Sequence, residues 1–393
     1  MDADLRPLFL LDPQVCFLNH GSYGACPRPI FEAYQAWQLR LERQPVAFLD
    51  PARGYWRWLA QARTALAAEV VCDPDDLVGV MTATVGLNIV AQSLPLGPGD
   101  EILTTDHEYA ALDKTWAHVA RRTGARVAVA RVPLPLISEE AFTEALRSSL
   151  TDRTRVLFLS HVTSATALHF PIERIVALAR ERGIWTVIDG AHCPGHIPLD
   201  LDGLGADFYA GNCHKWMMAP KGSAFLHVRR PLQPLVTPLV ISHGWTPERA
   251  EPGPFGNSAF LDALEMQGTR DPSAFLSIPD ALRFRAEHDW PTVAGCCRDL
   301  VDATEARVAG LTGLAPFSTA AFRAPQMAAM RLPKIDPSAL QRTLLNRYGI
   351  EIPCFEWQDQ SIVRVSAQGY NTAAEMDRLV AALSDLLPLA HAA

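Results

Sequence analysis

Between residues 101 and 228, short apolar runs alternate with longer amphipathic stretches, and this alternation restricts the fold more than any other feature of the chain. Runs at 101–104, 126–129, 156–159 and 184–188 read as strands. Helical patterns at 110–122, 139–150 and 172–182 separate them, the last closed by Gly183. Strands joined through helices have room for crossover connections and therefore pair in parallel. Ile184-Trp185-Thr186-Val187-Ile188 is apolar almost throughout, as a strand covered on both faces requires. The expected class is therefore α/β, with helices on both faces of a mainly parallel sheet. The run 222–228 reads as a later strand and is a candidate for antiparallel pairing.

The pattern changes twice. A proline-rich stretch, 231–254, interrupts the alternation and is expected to cross the surface towards the active site. Beyond Asp271-Pro272, helices are expected at 274–287 and 293–311, then a strand at 362–366 and a helix from Thr372. This implies an N-terminal arm, 1–15, a large domain, 16–265, and a smaller α+β domain, 266–393, on which the arm packs.

Composition excludes several function classes. With 393 residues, 49% hydrophobic and 20% charged, the chain is globular and has ample length for a core. A formal charge of −8 argues against nucleic acid as the main partner. No apolar run approaches the roughly 20 residues a membrane helix needs. The start lacks a signal peptide's basic-then-apolar order, so a cytoplasmic location is expected. Eight scattered cysteines without a C-x-x-C pair fit free thiols. His192, Cys193 and His196 lie close together, but no second cluster accompanies them and no metal is expected. The G-x-G-x-x-G of a dinucleotide site is missing after the first strand.

Ligands of open α/β sheets gather beyond the carboxyl ends of the strands, and reactive residues recur there. Lys215 lies in Ala210-Gly211-Asn212-Cys213-His214-Lys215-Trp216-Met217-Met218, a small, apolar and aromatic setting. Desolvation lowers a lysine's pKa and leaves a neutral amine, the form that attacks an aldehyde to give a Schiff base. Asp189 ends the 184–188 run: it either caps the next helix or keeps a pyridine nitrogen protonated. Thr82-Ala83-Thr84 opens a helix running to Ser93, where hydroxyls and amides at a positive helix end suit an anion. His107 and Tyr109 follow the 101–104 strand, and either could cover a flat ring. Ser160 to Ser164 offers further hydroxyls. A phosphorylated, pyridine-containing aldehyde requires this inventory.

The chain resembles the class V aminotransferases, fold-type I pyridoxal-phosphate enzymes, and within them the isopenicillin N epimerase-like branch. The residues that carry the resemblance are Asn19-His20-Gly21-Ser22-Tyr23-Gly24, Thr82-Ala83-Thr84, Asp189-Gly190-Ala191-His192, Cys213-His214-Lys215-Trp216, Gly268-Thr269-Arg270-Asp271 and Arg364-Val365-Ser366-Ala367. It implies a seven-stranded large-domain sheet, pyridoxal 5′-phosphate as cofactor and a homodimer with shared active sites. It implies Lys215 as the Schiff-base lysine and Asp189 as the pyridinium partner. Ala83, Thr84, His192 and His214 fall where the family holds phosphate and ring, and Thr269 where a phosphate contact enters from the other subunit. His107 falls at the ring-stacking position, with Tyr109 a competitor, and Ser164 near the ring hydroxyl. Arg364 matches the clamp on a substrate α-carboxylate, and Asn19 and Tyr23 border the substrate. The implied reaction class is epimerisation or racemisation of an amino acid through an α-carbanion, with Lys215 and either Tyr109 or His107 moving protons. C–S lysis or transamination are alternatives. Cysteine desulfuration ranks below them, because Cys354 sits in an apolar setting rather than on a mobile loop.

Overall fold

The computed structural model describes residues 5–387. Its main sheet has seven strands in the order Leu77–Val80, Ala224–Val228, Phe208–Asn212, Trp185–Gly190, Thr154–Ser160, Glu101–Thr105 and Arg126–Ala130. Ala224–Val228 runs against both of its neighbours, and every other pairing is parallel. The exception follows from connectivity: residues 213–223 contain no helix that could return the chain to the sheet's opposite end, so the strand comes back reversed. Val156, Leu157, Val187 and Ile188 are fully buried, in keeping with helices on both faces. The Arg126–Ala130 edge is part-exposed, and there Arg126 pairs with Glu101.

Local chemistry sets the helix ends. Thr82 caps Ala83–Ser93 by accepting from Val85 N, and Ser138 caps Glu139–Arg147 the same way from Ala141 N. Gly124, at φ 80°, closes Ala110–Thr123 in the left-handed region. The helix expected over 139–150 ends at Arg147, because the hydroxyls of Ser148 and Ser149 both bond the Ala145 carbonyl. The helix expected over 274–287 is two, Ser273–Leu276 and Ile278–Glu287. Pro279 has no N–H to continue the ladder and forces the restart.

Beyond these helices lies a three-stranded antiparallel sheet, Cys354–Trp357, Gln360–Ser366 and Met327–Leu332. Trp290–Thr312 packs on Met327–Leu332, Pro337–Tyr348 on Cys354–Trp357, and Ala373–Leu386 on both helices. The N-terminal residues join this part of the molecule. Cys16–Phe17 pairs in parallel with Ile350–Glu351, Arg6 bridges Glu375 at 2.9 Å, and Phe9 meets the Tyr370 ring edge-on. Asn19 then pairs with Ser366, which carries the 19–24 segment to the strand bearing Arg364. Residues 1–4 of the expected arm and 388–393 at the C-terminus lie outside the described residues.

Candidate active site

A cavity of about 190 Å³ opens beyond the carboxyl ends of the parallel strands. Ser160, Asp189 and Asn212 reach it from three adjacent strands of the sheet. Thr82 and Thr84 enter from the start of Ala83–Ser93, and Lys215 with His214 from the loop after Asn212. The 19–24 segment can lie over that loop only because residue 24 is glycine. Its φ is 69°, and a β-carbon there would come 2.0 Å from the His214 carbonyl oxygen.

Lys215 Nζ lies 2.9 Å from His192 Nε2, and His20 Nε2 bonds the Lys215 carbonyl at 3.0 Å. Desolvation, with Arg364 adding repulsion, pushes the Lys215 amine down to about 7, against the pull of Asp189. Asp189 is buried, and burial raises its pKa. Its Oδ1 accepts from Ala191 N at 2.9 Å, and among the described residues Oδ2 has no donor. A buried carboxylate bordering the cavity with one oxygen unused fits a protonated ring nitrogen.

The opening turn of Ala83–Ser93 fits a phosphate by the same test. Ala83 N donates to Asn212 Oδ1 at 2.8 Å and Val85 N to Thr82 Oγ1 at 3.2 Å. The Thr84 hydroxyl has no hydrogen bond among the described residues, and it stands at the helix's positive end in the cavity wall. Of the two anion contacts expected here, Thr84 is therefore open, whereas the Ala83 amide is already engaged. His214 Nδ1 bonds the Ser223 carbonyl at 3.3 Å, leaving its other ring nitrogen without a partner among the described residues. Burial, reinforced by Lys215, lowers His214 to about 4.

His107 and Tyr109 separate clearly. His107 is fully buried, bonded through Nδ1 to Thr166 Oγ1 at 2.8 Å and packed 4.6 Å from the Trp357 ring. It does not line the cavity, because this closed aromatic cluster consumes its faces; Tyr109 does line it, 46% exposed. Of the two side chains expected over a ring, Tyr109 stands in the cavity wall and His107 stands behind it. Ser164 lines the cavity, and its carbonyl and hydroxyl both accept from Arg364 Nη1. Arg364 is buried behind the wall rather than in it, with Nη2 on Ser22 Oγ at 2.9 Å and Nε without a partner. Burial pushes its pKa down to about 10. Asn19 also stands behind the wall, accepting from the Ser22 hydroxyl at 2.5 Å, while Tyr23 lines the cavity at 73% exposure. Thr269 is exposed and does not line the cavity of its own chain.

The sequence alone assigns no role to Ser22, Asn212 or Glu108. Asn212 lies inside the lysine motif at a strand end, a signal that was available. Glu108 had none: it is buried, accepting from Thr105 Oγ1 at 2.6 Å and from the Ser160 amide and hydroxyl at 2.7 and 2.6 Å. Burial outweighs these bonds and raises its carboxyl to about 8. Cys354 is buried, and burial pushes its thiol up to about 12.

Comparison with known proteins points the same way. The class-V aminotransferase family model matches residues 55–379. Isopenicillin N epimerase of Amycolatopsis lactamdurans is 37% identical over 393 residues, with 98% of each chain covered. L-cysteine desulfhydrase of Arabidopsis thaliana is 28% identical, over 95% of this chain and 88% of that one. Among solved structures, the cysteine desulfurase CsdA of Escherichia coli superposes with a TM-score of 0.80 at 24% identity, covering 98% of both chains, a likeness of fold. The chain belongs to the class-V aminotransferase family, and its cofactor is pyridoxal 5′-phosphate.

Proposed function

We propose that the protein inverts the α-carbon of an amino acid or amino-acid-like substrate, as an epimerase or racemase of the isopenicillin N epimerase type. The observation that carries this reading is that two proton-bearing side chains, Lys215 and Tyr109, border one cavity. Inversion needs a proton removed from one face of Cα and another delivered to the opposite face, whereas elimination needs one base. The 37% identity to an isopenicillin N epimerase over nearly the full chain supports the same reading.

Asp189, through its open Oδ2, would hold a ring nitrogen in its protonated form, and the Thr84 hydroxyl with His214 would hold the phosphate. Bound there, the pyridinium ring supplies an electron sink for the carbanion at Cα. Lys215 Nζ, neutral above about pH 7, takes the Cα proton. Tyr109 Oη returns one to the other face, and Arg364 pairs with the α-carboxylate by exchanging its Ser22 contact, as a guanidinium fork suits. Ser164 would serve the ring hydroxyl and Thr269 would serve the partner's site, in a homodimer with shared active sites. The exposed run Leu239-Val240-Ile241 supports an oligomer, which sedimentation equilibrium tests. The reading includes a large unit to about residue 265, a smaller one after it with the N-terminal arm docked on it, and a cytoplasmic location. Eight free cysteines support that location, and among the described residues no helix is long and apolar enough to cross a membrane.

The decisive experiment incubates the enzyme with a panel of L-amino acids in deuterium oxide, scoring optical inversion, Cα exchange, keto acid and sulfide. Tyr109→Phe abolishes inversion and keeps exchange; unchanged inversion removes Tyr109 from the role. Sulfide release without inversion supports the second reading, C–S lysis, which the desulfhydrase relative favours. A persulfide-carrying desulfurase is disfavoured by the buried, protonated Cys354.

A further inference from the structure

We propose that Trp216 is a positioning residue for Lys215: its indole N–H fixes His192 in the tautomer that carries its proton on Nε2, so that a donor and not a lone pair faces the lysine amine. Trp216 Nε1 lies 3.3 Å from His192 Nδ1, and His192 Nε2 lies 2.9 Å from Lys215 Nζ. An indole nitrogen only donates, so Nδ1 is the acceptor, and a neutral imidazole then has its hydrogen on Nε2. Burial keeps that ring neutral, and Lys215, Arg364, His196 and His214 all oppose its protonation.

The lock is itself held. Trp216 is fully buried, and the His196 ring stacks on it at 3.9 Å and 16°. Gln326 N donates to His196 Nε2 at 3.1 Å, so His196 donates through Nδ1 to the His192 carbonyl, 3.0 Å away. The same strap thus grips both the backbone of His192 and the face of the indole that orients its ring.

The consequence falls on Lys215. An ammonium at Nζ would set N–H against N–H across 2.9 Å, whereas a free amine accepts the His192 hydrogen. The arrangement favours the neutral nucleophile and holds it in place. Arg364 acts in the same direction, and Asp189 and Cys193 act in the opposite one. The inference rests on Lys215 being the reactive amine of the proposed function.

The test uses the full-length chain freed of cofactor. Nitrogen NMR of histidine-labelled protein, or neutron diffraction, reads the His192 tautomer directly. Protonation at Nε2 is expected, and protonation at Nδ1 overturns the proposal. In Trp216→Phe the ring is released, its Nε2 lone pair can accept from the ammonium, and the pH midpoint of Lys215 reductive methylation rises by about one unit. An unchanged midpoint in a folded Trp216→Phe variant overturns the proposal, which a merely space-filling indole would produce. Should that variant fail to fold, the native tautomer decides alone. Failure of the native chain to bind pyridoxal 5′-phosphate would instead sink the functional reading, and the tautomer result would stand.

Discussion

Asp189, His192 and Lys215 reach the cavity from strand ends and the loops beside them, each held by at least one side-chain hydrogen bond. Tyr23 and Tyr109 reach the same cavity from exposed segments, 73% and 46% accessible, with no hydroxyl hydrogen bond among the described residues. Groups of the first kind act at full strength because water is excluded and their geometry is set in advance. Groups of the second kind cost the fold little to exchange. On the proposed function, the bond-making chemistry falls to the former, and the choice of substrate and stereochemical outcome to the latter.

The sharpest attempt to break that contrast is Lys215→Ala. We expect kcat to fall by about 10³-fold or more and the absorbance of lysine-bound cofactor to vanish, with the fold kept; residual turnover near the native value would show that the strand-end groups do not carry the chemistry. Arg364→Lys comes next, with KM rising by about 10-fold as the planar fork is lost. Steady-state kinetics separates this from a fall in kcat, which would place Arg364 among the proton-moving groups instead.

Glu108→Gln sharpens the comparison through pH. Folding raises this carboxyl from 4.5 to about 8, so the native chain has its full contribution below 4.5 and loses it as pH rises through about 8. The glutamine variant lacks that loss, and its Tm relative to the native protein should therefore climb across this window in paired thermal scans. A constant difference would mean Glu108 is ionised in the fold. Smallest of all is Tyr23→Phe, where stability should move by no more than about 0.5 kcal/mol in denaturant titrations while relative kcat/KM among substrates changes. A cooperative loss of stability there would erase the distinction between the two sets.

Much of this was legible before any coordinates. The 184–188 run declared its burial because a strand covered on both faces has no polar face to show. Lys215 and Asp189 were legible because their neighbours in sequence are also their environment. Arg364 was legible in identity but not in depth: its burial depends on Ser22 and Ser164, 342 and 200 positions away in the chain. His107 and Tyr109 could not be ranked, since Trp357 and Thr166, which enclose the histidine, come from distant segments. Glu108 was invisible because a buried, raised carboxyl and a solvated one are the same letter. The helix break before Pro279 is readable in the sequence, proline in a helical pattern being a signal in its own right.

The reversed strand carries a last consequence. Asn212 and Ala224 are paired in register, so residues 213–223, with Lys215 among them, form a loop whose two feet rest on the same rung. Val80 faces Ala224 from the other side, tying in the edge strand that leads to the phosphate-end helix. An amine mounted on such a closed ring shares the anchorage of the sheet, so loosening it means opening the Asn212–Ala224 rung.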